Sequence, residues 1–206
     1  MKGLIIKDLF TIKKQGKILL ATTGFYLLFA IITKNLSIFG AVSVCVSILL
    51  PITSMSYDEH NKWDKYALSM PLSRKTIVLS KYVLGIMLNL VVSVVICAVN
   101  NILAFYMDIN YGEVIATTLG ISGAGILFLS ILLPAIYKFG VEKARLLMII
   151  VFLVPTLIGM LLSESGMTLA SWQMLDKLVY AAPAVVILLL VLSINLSIRI
   201  YQSKEF

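Results

Sequence analysis

Charged residues are scarce in this sequence. They make up 13% of its 206 residues, whereas hydrophobic residues make up 60%. The mean hydropathy is +1.02. A soluble globular chain is usually about a quarter charged. The composition therefore excludes a soluble domain and indicates an integral membrane protein.

Residues that bind metals or form covalent intermediates are also few. The chain has one histidine, His60, and two cysteines, Cys45 and Cys97, which lie in separate apolar stretches. We interpret the cysteines as small buried thiols, because no Cys/His cluster has metal-ligand spacing. A phosphate-binding loop of the type GxxxxGK[ST] is absent. The sequence therefore predicts no enzyme activity, no metal and no cofactor in this chain.

Ionisable side chains are missing from the centres of the apolar stretches. Asp108 and Glu113 lie at an edge. Proton relays and ion-coupled carriers place such groups at the centre of a span, where each is costly in lipid. This argues against a proton-coupled carrier and an intramembrane hydrolase. The net charge of +7 does not indicate nucleic acid, because the basic residues flank apolar spans, where they suit lipid headgroups.

The apolar stretches predict an all-α integral membrane protein with six transmembrane helices, at about 20 residues a span. The predicted spans are residues 17–34, 36–56, 82–107, 113–137, 146–162 and 178–198. Residues 1–16 mix lysines with apolar residues and predict an amphipathic helix in the membrane interface, with a frayed basic tail as the alternative. The whole chain, 1–206, is one transmembrane domain.

The basic residues predict the orientation of these spans. If both termini are cytosolic, every Lys and Arg except Lys34 and Lys177 lies on the cytosolic side, as the positive-inside rule requires. The cytosolic segments are then a main loop at 57–81 and a second loop at 138–145. Residues 163–177 form an outer loop with room for a short helix.

The main loop has the pattern of a short helix. Ser56 or Asp58 is a candidate cap, and the acids at 58 and 59 have the spacing to pair with Lys62. One apolar stripe follows at i, i+3, i+4 and i+7. Its members are Trp63, Tyr66, Ala67 and Met70. We expect Pro71 to end this helix and Ser73 to cap the next one.

Such a stripe suits docking into a groove on a soluble partner. The alternative is that Trp63 and Tyr66 anchor in the headgroup layer. For the loop at 138–145 the two interpretations are a second contact with the same partner and a charged turn that only sets topology.

Two stretches, SYDEHNKWDKYALSMPLSRKTIVLSKY (56–82) and LPAIYKFGVEKAR (133–145), resemble permease subunits of ABC exporters of the ABC-2 type. The opening MKGLIIKDL and the layout of the whole chain are also similar. The likeness is nearest to small bacterial permeases, including exporters of amphipathic peptides such as phenol-soluble modulins. It implies an elbow helix at the N-terminus and a place in the bacterial plasma membrane.

The resemblance also implies partners: a second permease copy, identical or a close paralogue, and two ABC ATPase subunits, which bind ATP and Mg. A coupling helix would enter a cleft of the ATPase. Its implied residues are Tyr57, Asp58, Glu59, His60, Asn61, Lys62, Trp63, Asp64, Lys65 and Tyr66. The residues implied for the second, lesser contact are Lys138, Phe139, Gly140, Glu142, Lys143 and Arg145.

Scattered amides and hydroxyls on spans two and three are the candidate lining of a pathway. They are Ser43, Ser47, Asn89, Ser93 and Asn100, with Thr53 and Asn101 nearby. The alternative is that they join helices by hydrogen bonds. A lining of scattered amides and hydroxyls, without a ring of charge, favours an apolar or amphipathic substrate. We therefore predict an ATP-driven exporter of a peptide, lipid or hydrophobic drug; the alternatives are a membrane anchor without a pathway and, least supported, an intramembrane enzyme.

Overall fold

The computed structural model describes residues 2–14, 16–33, 36–69, 72–107, 111–164 and 172–204. The regular secondary structure of these residues is entirely helical. In chain order the helices are α1 (Lys2–Lys13), α2 (Gly16–Thr33), α3 (Leu36–His60), α4 (Trp63–Ser69), α5 (Arg74–Met107), α6 (Tyr111–Phe139), α7 (Val141–Glu164) and α8 (Trp172–Ser203).

Five helices in the described part of the chain are long and apolar enough to cross a membrane. They are Gly16–Thr33, Ile38–His60, Arg74–Ala104, Val114–Phe139 and Ala182–Ser203. The prediction of an all-helical protein with several membrane-length helices is thereby confirmed. The further predicted span, 146–162, lies in α7, whose side chains from residue 158 onward are outside those described. Six spans therefore stay a prediction.

The helices extend further than the apolar stretches do. α3 continues to His60, and Gly140 alone separates α6 from α7. Residues 172–177, which we predicted to lie in the outer loop, begin α8, while residues 165–171 lie outside the described part. The reason is physical: hydropathy marks where a helix leaves lipid, but its backbone hydrogen bonds let it continue into water.

The centre of the bundle is built from α3, α5, α6 and α8, which pack against one another. Ile48 of α3, Ile96 of α5 and Leu132 of α6 are among its fully buried side chains. α2 packs on α3 and leaves apolar side chains such as Ile32 exposed. An apolar face of this kind is expected where a helix faces lipid.

A proline explains one contact between α6 and α8. Pro134 has no N–H, so the carbonyl of Ser130 one turn earlier loses its helical donor. Ser193 of α8 donates its hydroxyl to that carbonyl at 2.6 Å. The hydroxyls of Tyr82, on α5, and Ser193 are also 2.6 Å apart. Hydrogen bonds therefore join three helices at one level of the bundle.

Candidate functional site

All salt bridges among the described residues lie at one end of the bundle. At this end α1, the α3–α4 turn, the start of α5, the α6–α7 turn and the end of α8 meet, and we call it the polar end. The loops predicted at 57–81 and 138–145 both fall there. The candidate site is built from their side chains.

The α3–α4 turn differs from the short capped helix that the sequence indicated. Ser56 and Asp58 do not cap a helix, because both lie inside α3. This helix ends at His60, where the N–H of Asn61 donates to the Tyr57 carbonyl at 3.0 Å. Lys62 follows with a positive φ of 50°, a conformation common just past a helix end. The predicted cap was wrong, and residues 57–66 form the end of α3, a turn and the start of α4.

The apolar stripe on α4 is divided between the interior and the surface. Ala67 is fully buried, and Trp63 packs against the core of the bundle. Tyr66, by contrast, is 63% exposed. The Lys7 ammonium lies 4.3 Å from the centroid of the Trp63 ring, close enough for a cation–π contact. Met70 and Pro71 lie outside the described residues, and Ser73 caps α5 as predicted, with its hydroxyl accepting from the Thr76 N–H at 3.2 Å.

Four charged side chains form an ionic cluster between α1, α3 and α5. Lys81 donates to both carboxylate oxygens of Asp8 at 2.8 Å and to Asp58 at 2.6 Å. Lys7 donates to the other oxygen of Asp58, also at 2.6 Å. Ser54 completes the set by donating to Asp8 at 2.9 Å. Two lysines and two aspartates leave the cluster neutral, so each buried charge is compensated.

Sequence reasoning missed this cluster. It predicted that Asp58 pairs with Lys62, which is wrong, since Asp58 pairs with Lys7 and Lys81. It also predicted that the lysines of residues 1–16 face lipid headgroups. Lys7 instead lies beside Asp8, which is 1% exposed. The signal was available: Asp8 is the one acid in a basic segment. The position of α1 relative to a membrane stays a prediction.

The α6–α7 turn is tied to the end of α3. Glu59 accepts a hydrogen bond from the N–H of Val141 at 2.9 Å, and a carboxylate at the N-terminus of α7 is favoured by the helix dipole. Gly140 has a φ of 83°, and a Cβ there would lie 3.0 Å from Glu59. Arg145 donates to the Ser56 hydroxyl at 3.4 Å. The two predicted cytosolic segments are therefore neighbours.

The end of α8 contacts α4 through a hydrogen bond between Tyr201 and Asp64. The Tyr201 hydroxyl donates to Asp64 at 2.9 Å, and the Tyr201 ring meets Tyr137 of α6 edge-on, with centroids 5.4 Å apart. Arg74, at the start of α5, donates to the carbonyl of Gln202 at 2.6 Å. Thus α4 is connected to α1, α3 and α8.

Charged, polar and aromatic side chains remain exposed around these contacts. From the implied coupling set they are Tyr57, Glu59, His60, Asn61, Lys62, Lys65 and Tyr66. From the second set they are Lys138, Phe139, Glu142, Lys143 and Arg145. Asp58, Trp63 and Asp64 are half-buried and bind within the chain. We call these exposed residues the docking surface, after the ATPase contact that the resemblance implies for them.

The predicted pathway residues lie inside the subunit. Ser43, Ser47, Asn89 and Asn100 are buried, and Ser93 is half-buried. Ser47 and Ser93 donate to carbonyls of their own helices, each at 2.8 Å. Neither amide atom of Asn89 has a partner within the described part of the chain. Their role in a pathway stays a prediction.

Within the described ranges, no three or more His, Cys, Asp or Glu side chains are grouped to hold a metal ion. Cys45 and Cys97 are free, half-buried thiols. The described side chains at the polar end provide charges, hydrogen-bonding groups and exposed aromatic rings.

Comparison with protein families decides the assignment. The family described as "ABC-2 family transporter protein" matches residues 3–202. The chain belongs to the ABC-2 transporter family. Neither the search of curated proteins nor that of solved structures gave a match. ABC-2 permeases are membrane transport components, generally without catalytic activity, that work with ABC ATPases, and the docking surface belongs to a multi-pass membrane protein of that class.

Proposed function

We propose that this ABC-2 chain is the permease subunit of an ATP-driven exporter, and that a separate ATPase binds its docking surface. The observation that supports this best is the meeting of the α3–α4 and α6–α7 turns through Glu59 and Val141. One exposed surface thereby combines both segments that the resemblance assigns to ATPase contact. Its exposed Tyr57 and Tyr66 are side chains of the kind that dominate protein interfaces.

Movement of the ATPase reaches the spans through α4. The ATPase contacts the exposed face of α4, which carries Lys65 and Tyr66, and the buried face packs on the core through Ala67. Asp64 passes the displacement to α8 through Tyr201. The contact of Trp63 with Lys7 passes it to α1 and the ionic cluster. A seven-residue helix fixed at these points moves with its neighbours as one body.

The proposed assembly contains two permease copies, identical or paralogous, and two ATPase subunits that supply ATP and Mg. Each permease has six spans, both termini in the cytosol of a bacterium, and α1 as the elbow helix at the plasma membrane. The substrate is apolar or amphipathic, such as a peptide, a lipid or a hydrophobic drug. Apolar side chains dominate the described spans, and the salt-bridged charges lie at the polar end.

One observation favours a second candidate, a membrane anchor that recruits an ATPase without transporting anything. The predicted lining residues, including Ser47, Asn89 and Asn100, are buried within the subunit. An exporter must therefore expose them by helix movement or use a surface between two copies. An anchor needs neither.

Reconstitution separates the two candidates. The chain is purified together with an ABC ATPase, taken from beside its gene where one is encoded there, and is placed in lipid vesicles. ATP hydrolysis is measured with and without an amphipathic helical peptide. An exporter predicts co-purification and hydrolysis that rises with the peptide. Co-purification with unchanged hydrolysis supports the anchor, and an ATPase that does not bind at all overturns both.

A further inference from the structure

A groove of about 650 Å³ lies between α6 and α8, a volume within the usual range of ligand sites, about 300–1,000 Å³. Its walls come from one face of each helix. They are Leu127, Ser130, Ile131 and Pro134 on α6, and Leu189, Leu192, Ser193, Asn195, Leu196 and Arg199 on α8. From residue 189 to 199 the groove follows α8 for about 15 Å.

The groove is preformed by contacts that do not depend on its contents. Ser193 donates to the Ser130 carbonyl at 2.6 Å, which joins α6 to α8 along the floor of the groove. Pro134 makes the acceptor available by removing its helical donor, and its ring adds a rigid part of the wall. Two small serine side chains at the contact leave the space beside them open.

The apolar part of the groove opens toward lipid. Leu192 and Leu196 are 56% and 52% exposed, and Ile131 across the groove is 52% exposed. All three lie in helices of membrane length. Lipid chains, rather than water, surround such side chains in a bilayer, so an acyl chain matches this part of the groove.

One end of the groove is cationic. Asn195 and Arg199 are exposed and one helical turn apart, and none of the lining residues is acidic. Beyond Leu196 the exposed residues become polar, since Gln202 and Ser203 follow Arg199 on α8 and Lys204 lies just past its end. This change marks the level of the headgroups, where arginine contacts phosphate through a planar, bidentate fork.

We propose that the groove is a binding site for an anionic phospholipid, with an acyl chain between α6 and α8 and the phosphate at Arg199. Asn195 donates to the oxygens just below the phosphate. The site goes beyond the proposed export function and does not rest on it, because the groove lies on α6 and α8 and contains none of the residues of the docking surface.

Native mass spectrometry of the purified full chain tests the site. The protein is incubated with equal amounts of phosphatidylglycerol and phosphatidylcholine of the same chains, and the retained lipid is counted. We expect preference for phosphatidylglycerol. Arg199→Gln should lower it about fivefold, which corresponds to about 1 kcal/mol for one basic residue at an anionic headgroup, while Arg199→Lys keeps part of it. Lys13→Gln removes an exposed charge from α1 that does not line the groove, and it should lower the preference far less than Arg199→Gln does.

A second variant tests the apolar part. Leu192→Trp fills the groove but keeps Arg199, so it should lower retention of both lipids. Equal losses in Arg199→Gln and Lys13→Gln would mean general surface charge and would overturn the proposal. Efficient disulfide formation between two copies of Leu192→Cys would overturn it as well, because the groove would then be a subunit interface. The chain is measured alone, so failure of ATPase binding has no effect on this test.

Discussion

Removing the Lys81 ammonium is the sharpest test of the ionic cluster. Lys81 is 5% exposed and touches Asp8, Asp58 and Ser54. Lys81→Met keeps a similar side-chain length but removes the hydrogen bonds to all three residues, four in total. The cluster then holds one lysine against two aspartates, so an uncompensated negative charge remains next to the core.

The expected magnitude follows from burial. Breaking a buried ion pair by removing one partner costs about 3–5 kcal/mol, chiefly because the other charge stays buried. Lys7 still contacts Asp8 at 3.1 Å and Asp58 at 2.6 Å, which places the loss near the lower limit, about 3 kcal/mol. The double variant Asp8→Asn/Lys81→Met restores neutrality and should be more stable than Lys81→Met alone.

Thermal unfolding in detergent measures this loss of stability, with a thiol-reactive dye that reports exposure of Cys45 and Cys97. At about 2–4 °C per kcal/mol for a chain of this size, Lys81→Met should lower the Tm by about 6–12 °C. Lys75→Met, an exposed lysine on the same helix, is the matched control and should shift it by 2 °C or less. Equal shifts in the two variants, or a double variant less stable than Lys81→Met, would refute the reasoning.

Two further predictions concern packing between spans and use the same assay. Gly125→Ala should lower the free energy of unfolding by about 1–3 kcal/mol, because its methyl would overlap the Asn89 amide. The control is Gly123→Ala, whose methyl meets open space and which should be neutral or stabilising. Equal shifts in Tm for the two variants would contradict the packing. Ser193→Ala should cost about 1–2 kcal/mol, since it removes the donor to the carbonyl freed by Pro134. The control is Ser122→Ala, which loses only a hydrogen bond within its own helix. An equal loss of stability in Ser122→Ala would contradict the link between α6 and α8.

Local pattern predicted the helices and the family but not the contacts between distant segments. Apolar runs and the stretches at 56–82 and 133–145 were sufficient for an all-helical ABC-2 permease. The cap of α5 by Ser73 was also predicted, because capping depends on neighbouring residues. The burial of Asp8, by contrast, depends on Lys81, which is 73 residues away. A lone acid in a basic segment indicates that Asp8 has a partner, but no local pattern identifies that partner as Lys81.

The stripe on α4 illustrates the same limit. Spacing shows that Trp63, Tyr66 and Ala67 share a helical face, but not how that face is turned. Tyr201 and Lys7, at the two ends of the chain, turn α4 so that Trp63 faces the core and Tyr66 faces out. Spacing also groups Ser43 with Ser47 and Asn89 with Ser93, but which neighbouring helix covers each pair depends on the packing of α3, α5 and α6.

The central claim is that an ATPase binds the docking surface, and Tyr66→Ala tests it most directly. Tyr66 is 63% exposed, so its loss should leave the fold intact; Phe10→Ala, at 64% exposure on α1, is the matched control. Affinity for the ATPase is measured by titration in lipid nanodiscs. If Tyr66 is an interface anchor, Tyr66→Ala should weaken binding by about 2 kcal/mol or more, about thirtyfold in Kd, and Phe10→Ala should not. Unchanged binding in both variants would contradict the account and favour a headgroup anchor.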